Sequence, residues 1–125
     1  MPEAKLPYDG VRVVEFTHMV MGPTCGMVLG DLGAEVIKVE PLEGDLSRQV
    51  SSHATEFAGA SGFFLSVNRG KSSIALDLKN PAGRAVIYDL VRKSDAVVYG
   101  FAPSVPARLG LDPEEPEIWE KAADA

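Results

Sequence analysis

Cysteine is almost missing from this 125-residue chain, which has only Cys25. A lone thiol makes no internal disulfide and no metal site by itself, and the setting it implies by default is a reducing cytoplasm. No apolar run is long enough to span a bilayer, so no membrane is expected as a partner. The opening MPEAKLPYDG lacks the apolar core of a secretory signal. A basic excess is missing too: 12 Lys and Arg stand against 18 Asp and Glu, a formal charge of −6. That balance argues against nucleic acid, whose partners normally carry surplus cations. A small anionic ligand stays compatible with it where Lys and Arg gather locally. Internal repeats and low-complexity stretches are absent. What is left, 46% hydrophobic and 24% charged residues, fits one domain over residues 1–125.

The stretch that organises the rest is VRVVEFTHMVMGPTCGMVLGDLGAEVIKVE, Val11 to Glu40. Val11, Val13, Val14 and Phe16 form a short apolar run of the kind buried on both faces of a parallel sheet. A turn follows at His18–Gly22, and Pro23 falls in the first turn of a helix, where its missing N–H had no partner. Gly22, Gly26 and Gly30 recur every four residues and share one side of that helix, which implies a backbone pressed against a sheet or a ligand. Leu32-Gly33 is the helix stop, and Ala34–Glu40 is a second strand. This βαβ unit opens an α/β fold with an open, mostly parallel sheet.

The segment after Glu40 is rich in Gly, Ser and charge, and long loops of this kind are often functional. A short helix is expected near Thr55–Ala60. Phe63–Leu65 lead into a polar turn, Asn68–Ser73, and Ser73–Leu78 alternates as a strand does. Asn80-Pro81 starts a helix to about Lys93, with Ala85, Tyr88, Leu90 and Val91 spaced to face the sheet and Val86 and Ile87 widening that face. Arg92 and Lys93 suit its C-terminal dipole. Asp95–Phe101 is the next strand, and 106–112 holds a turn and a short helix. Residues 111–125 form an acidic, weakly helical tail with Trp119 as its anchor and no further strand. Three or four strands make about half of a doubly wound sheet, so the fold is expected to be incomplete, with an edge needing cover.

Among chemistry-bearing residues, Glu40 follows the first turn at the distance of a ribose-binding acid. The glycines, however, do not form G-x-G-x-x-G, and a dinucleotide site is set aside on that ground. Cys25 stands early in a helix, where a thiolate is stabilised; the plainer reading is a small buried hydrophobe. His18 has two roles open, contact with substrate or a bond to backbone, and His53 is a solvated loop residue.

Three blocks together resemble a known family. V-V-E-F-x5-G-P (Val13–Pro23), L-G-D-L-G-A-E-V-I-K-V-E-P-x-x-G-D (Leu29–Asp45) and N-R-G-K-x-S-I-x-L-D-L-K (Asn68–Lys79), extended by Phe101-Ala-Pro and Ala107-Arg-Leu-Gly, look like the N-terminal part of the class III CoA-transferases. That family also includes α-methylacyl-CoA racemases. The resemblance implies a Rossmann-like fold, here the N-terminal half of the family's large domain, in proteins several times longer whose two subunits interlock. Coenzyme A or acyl-CoA would be a substrate, with no covalently bound cofactor and no metal, and a carboxylic acid would accept the CoA.

By motif position, His18, Met19, Val20 and Met21 would pass near the pantetheine and thioester. Leu76 and Lys79 would meet the adenosine and phosphate end, Gly100 and Phe101 would pack on CoA, and Arg108 would reach its phosphates. Lys71, with Arg69 nearby, is a further candidate cation. Some positions depart from the family: Val20 replaces a frequent polar residue, Gly100 a common Asn, and Pro41 an Arg found in some members. The aspartate that forms the transferases' acyl anhydride lies beyond the part represented here, so no catalytic residue is expected in this chain. Asp31 and Asp77 read as structural, and Asp45 as a loop hydrogen-bonder. The chain is thus expected to be a CoA-binding part of a transferase, inactive alone. Alternatives are a racemase part, a binding module that pairs with a complementary half, or a nonfunctional fragment; the full-length family implies a homodimer.

Overall fold

The run around Val13 becomes strand β1 (Arg12–Phe16) at the middle of a parallel sheet, with Val13 facing one side and Val14 and Phe16 the other. The computed structural model describes residues 4–50, 56–57 and 60–112. Helix α1 (Met21–Asp31) follows β1 and ends at Leu32, with Gly33 in the left-handed conformation at φ +107°. Strand β2 (Glu35–Glu40) pairs with β1 in parallel, and a 3-10 turn occupies Leu46–Gln49. Strands β3 (Glu56–Phe57) and β4 (Ala60–Ser61) pair antiparallel apart from the main sheet. Helix α2 (Gly62–Asn68), strand β5 (Ser72–Ala75), helix α3 (Pro81–Arg92), strand β6 (Ala96–Tyr99) and helix α4 (Ser104–Arg108) complete the order. The four main strands lie as β5-β2-β1-β6, all parallel. The expected α/β fold with its open parallel sheet is the one observed.

The two sides of the sheet differ. Val14, Phe16 and Val39 pack against Ile87 and Val91 of α3 and against Leu111. On the other side Val13, Ala34 and Val36 form a smaller apolar cluster joined by Leu29 of α1. Leu111 is fully buried, and two phenols fix the chain there: Tyr88 donates to the Gly110 carbonyl and Tyr99 to that of Leu111, each at 2.9 Å. Burial, reinforced by the Asp112 charge, pushes the Tyr99 phenol up to about 12, so it remains a donor.

Several local expectations need correction. Residues 56–57 are strand, not the expected short helix; Thr55 lies outside the described residues, as do His53 and Trp119. Helix α2 was hidden by Phe63-Phe64-Leu65, whose consecutive apolar residues show no helical period. The Ser61 hydroxyl caps it by accepting from the Phe64 N–H, and Phe64 and Asn68, one turn apart, are its buried pair. β5 stops at Ala75 rather than Leu78. Its partner β2 ends at Glu40, before Pro41, which has no N–H to continue the ladder, so the last bond runs from the Leu76 N–H to the Glu40 carbonyl. On α3 the buried residues are Ile87 and Val91, whereas Ala85 and Val86 are exposed. Cys25 is exposed rather than buried against the sheet.

Asn80 caps α3 as expected, its side chain accepting from the Ala82 N–H. Two residues into the helix, a Cβ on Gly83 would lie 2.2 Å from the Asp77 carbonyl oxygen. Alanine there gains up to about 1 kcal/mol of helix propensity but collides with rigid backbone, a cost of about 1–3 kcal/mol. Gly83→Ala is therefore expected to lower stability by about 1–2 kcal/mol, read as a lower urea midpoint; an unchanged or raised midpoint contradicts this packing.

Candidate functional site

Crevices in open α/β sheets form outside the C-terminal ends of the strands, and one opens here. A cavity of about 440 Å³ has Phe16 and Val39 at its base, within the roughly 300–1,000 Å³ typical of small-molecule sites. Leu76, Leu78, Phe101 and Leu109 form apolar walls, and Pro41 and Leu42 close the side below the loop. The polar lining is Glu40, Glu43, Asp77 and Lys79, the last being the one cation among the described residues that line it. Leu76 to Lys79 reach the cavity because β5 ends early and the chain turns away from the sheet, with the Lys79 N–H donating to Asp77 Oδ1 at 2.9 Å.

The β1–α1 turn stands beside this cavity. The His18 ring stacks on Phe101 with centroids 6.1 Å apart. Met19 has φ 62°, a left-handed conformation uncommon for a side chain without a short polar group. Val20 and Met21 are exposed, Met21 at 86%. Gly22 and Gly100 both face Thr17: a Cβ on Gly22 would lie 2.6 Å from Thr17 Cβ, and one on Gly100 would lie 3.3 Å from Thr17 Cα. Gly100 thus lets the ends of β1 and β6 approach, and a Cβ there would require the Thr17 backbone to shift by a few tenths of an ångström. Leu76, Lys79 and Phe101 line one crevice and His18 stacks on Phe101, whereas Met19, Val20, Met21 and Gly100 are not among its lining residues. Arg108 is exposed on α4, next to the lining residue Leu109.

Lys71 is not brought there. Its side chain is only 3% exposed, and its ammonium donates to Glu15 Oε1 and the Pro23 carbonyl at 2.7 Å each, and to Asn68 Oδ1 at 3.0 Å. Burial pushes its pKa below the usual lysine value, and Glu15 only partly offsets this. Arg69 instead pairs with Asp31 at 2.6 Å on the surface.

The largest feature missed from sequence is the ionic network that contains Lys71. Glu15 and Lys38 are directly opposite in the β1–β2 register, and both are fully buried. The Lys38 ammonium donates to the Thr17 carbonyl at 2.8 Å, pairs with Asp45 Oδ2 at 3.0 Å and lies 3.7 Å from Glu15 Oε1. Gly26 makes room for the Glu15 carboxylate, since a Cβ there would lie 1.8 Å from Oε2. One signal was available: charges of opposite sign at matching depth in two adjacent apolar strands.

A second buried acid, Glu40, holds the loop under the cavity. It accepts from the Arg48 Nε and Nη2 at 2.7 and 2.6 Å, from the Asp45 N–H at 2.8 Å, and from the Ser73 hydroxyl. Arg48 in turn lies 3.8 Å over the Phe64 ring. Burial raises the Glu40 pKa, but the bonds from Arg48, Ser73 and Asp45 outweigh it and hold the carboxyl at about 2. Asp45 is opposed by its own burial in the same way, yet lowered by the N–H and hydroxyl of Ser47 and by Lys38.

An all-parallel main sheet with a ligand-sized crevice beyond its strand ends defines an α/β protein of the open-sheet class, which places ligand sites at such ends. The model of CoA-transferase family III matches residues 8–118, and the chain belongs to that family. It is 42% identical over 112 residues to acetyl-CoA:oxalate CoA-transferase of Acetobacter aceti, covering 89% of this chain and 28% of that protein. It is 41% identical over 119 residues to succinate--glutarate CoA-transferase of Agrobacterium fabrum, covering 91% and 30%. A crystal structure of a CAIB/BAIF family protein from Brucella suis superposes with a TM-score of 0.84 at 36% identity, over 95% of this chain and 31% of that one. The chain thus spans less than a third of the length of these relatives.

Because the folded Glu40 pKa of about 2 lies below its ordinary 4.5, its contribution is present above pH ~4.5 and is lost as pH falls toward 2. That contribution is on the order of 3 kcal/mol, and Asp45 adds in the same direction. Unfolding free energy measured between pH 6 and 3 is expected to fall, and to fall less steeply in Glu40→Gln; equal slopes contradict the assignment.

Proposed function

We propose that this chain is the CoA-binding part of a CoA-transferase, seating coenzyme A or an acyl-CoA while a carboxylic acid accepts the CoA. The cavity at the strand ends carries this reading. It has apolar walls for a purine, Lys79 as the lining cation among the described residues, and an adjoining turn at His18–Met21. The adenine would sit between Leu76 and Phe101, Lys79 and Arg108 would meet phosphates, and the turn would run beside the pantetheine thioester. Gly100 keeps the end of β6 close enough to Thr17 for Phe101 to reach the crevice. An acidic protein must place cations locally to hold a polyanion, and hydrogen bonds from charged donors to phosphate are the stronger kind.

In the transferase reaction a carboxylate attacks the acyl-CoA thioester carbonyl, an acyl anhydride forms, and the thiolate of CoA leaves. The thiolate then attacks the enzyme-side carbonyl of the anhydride and releases the donor acid as its carboxylate. The acceptor carboxylate displaces the thiolate to form a second anhydride, and attack of the thiolate on the acceptor's carbonyl frees the enzyme carboxylate and gives the new thioester. The aspartates in the matched blocks are otherwise engaged: Asp31 pairs with Arg69, Asp45 is buried on Lys38, and Asp77 closes a turn on the Lys79 N–H. In keeping with the family resemblance, the nucleophile is assigned to polypeptide other than these residues, which the relatives' greater length can supply. A second copy or a complementary polypeptide would complete the site, in the cytoplasm. Oxalate and glutarate, named for two relatives, differ in length between their carboxylates, so the acceptor is proposed only as a carboxylic acid.

Calorimetry with coenzyme A is expected to show saturable binding by the chain, and Phe101→Ala and Lys79→Ala are each expected to weaken it by about 1–3 kcal/mol, or roughly 5- to 150-fold. No binding by the unaltered chain, or no loss in either variant, contradicts the site. Incubated alone with an acyl-CoA and an acceptor acid, the chain is expected to transfer no CoA; turnover at ordinary enzyme rates would overturn the assignment of the nucleophile elsewhere.

A further inference from the structure

The β1–α1 turn is held from beneath at both ends by a buried ammonium group. At its start, Lys38 donates to the Thr17 carbonyl at 2.8 Å; just past its end, Lys71 donates to the Pro23 carbonyl at 2.7 Å. Glu15 lies between them, 3.7 Å from the first nitrogen and 2.7 Å from the second. Between these anchors lie His18, the left-handed Met19, and the exposed Val20 and Met21. Neither lysine is positioned to touch a ligand, their side chains being 1% and 3% exposed.

Stability alone accounts poorly for such an arrangement. Desolvating ions is costly, and replacing a complete buried pair by apolar groups is often neutral or stabilising. Here Glu15 Oε2 and Asp45 Oδ2 are buried without a hydrogen-bond partner among the described residues, although Asp45 Oδ2 keeps its ion pair with Lys38. The arrangement gains its distinctive value from the acceptors chosen: two backbone carbonyls flanking a strained turn. Conformational specificity is the attested use of buried ionic groups that stability does not explain, and left-handed non-glycine residues persist where their surroundings over-determine them.

We infer that Lys38 and Lys71, with Glu15 as their common counter-ion, are positioning residues that hold the His18–Met21 turn in the shape that receives the pantetheine arm of CoA. They act through the Thr17 and Pro23 carbonyls, not by contact with ligand. This rests on the placement of CoA proposed above. It reassigns two cations, one of them a sequence candidate for phosphate, to the support of the turn.

Two charge-balanced double variants test it, each removing one anchor: Glu15→Gln with Lys71→Met, and Asp45→Asn with Lys38→Met. Binding is measured with coenzyme A and with adenosine 3′,5′-bisphosphate, which carries the nucleotide end but no pantetheine. In each variant CoA is expected to bind about tenfold or more weaker, while the bisphosphate stays within about twofold of the unaltered chain. Backbone NMR shifts are expected to move and broaden at residues 18–22, with β1 and β2 unmoved beyond the substituted positions and their immediate neighbours. Equal weakening of both ligands, no weakening of either, or unmoved turn resonances would overturn the inference. So would unfolding of both variants, which would make the network a folding determinant. If the unaltered chain binds neither ligand, the CoA reading fails, and the NMR arm still decides whether the anchors shape the turn.

Discussion

The carboxylate of Glu15, buried between two lysines, is the constraint on which the described structure depends most. It lies on the central strand, directly across from Lys38 and within 2.7 Å of Lys71, which begins the approach to β5. One side chain thereby ties β1, β2 and the segment before β5 together on the face covered by α1. Gly26 is the steric counterpart: any side chain there would occupy the space of Oε2. The glycine spacing of α1 thus reflects charges beneath the helix as much as close packing on a sheet.

The two faces of the sheet divide the work. Beneath α3 the contacts are apolar, with Val14, Phe16, Val39, Ile87, Val91 and Leu111 in one cluster, and burial of such surface supplies most of the driving force for folding. Beneath α1 the apolar contacts stop partway along the strands, and Glu15, Lys38 and Glu40 take over toward their C-terminal ends. Of these three, Glu40 also lines the crevice. Glu40 illustrates the coupling: it lines the cavity and also accepts from Arg48 and the Asp45 N–H, which set the course of the Pro41–Gly44 loop.

Membership in CoA-transferase family III gives this geometry a chemical context, and the short span relative to those proteins limits which part of it these residues supply. The described residues form a cavity at the strand ends with the β1–α1 turn beside it. Of the acids near that place, Glu40 and Asp45 are buried and paired and Asp77 accepts from the Lys79 N–H, while Glu43 stands exposed on the rim.

The sequence by itself determined the βαβ opening, the α/β class, the cap at Asn80 and the family, because hydrophobic period, glycine and proline chemistry and ordered motifs are local signals. It also marked Leu76, Lys79, His18 and Phe101, which the fold gathers at one crevice. Only tertiary structure decided the rest. Lys71 and Lys79 are both lysines near one strand, yet one ammonium is buried on Glu15 and the other lines the cavity. Helix α2 formed against local pattern because Ser61 caps it and Phe64 packs under Arg48. The physical reason is common to these cases: burial and partner distance depend on residues far apart in the chain, and no local period encodes them.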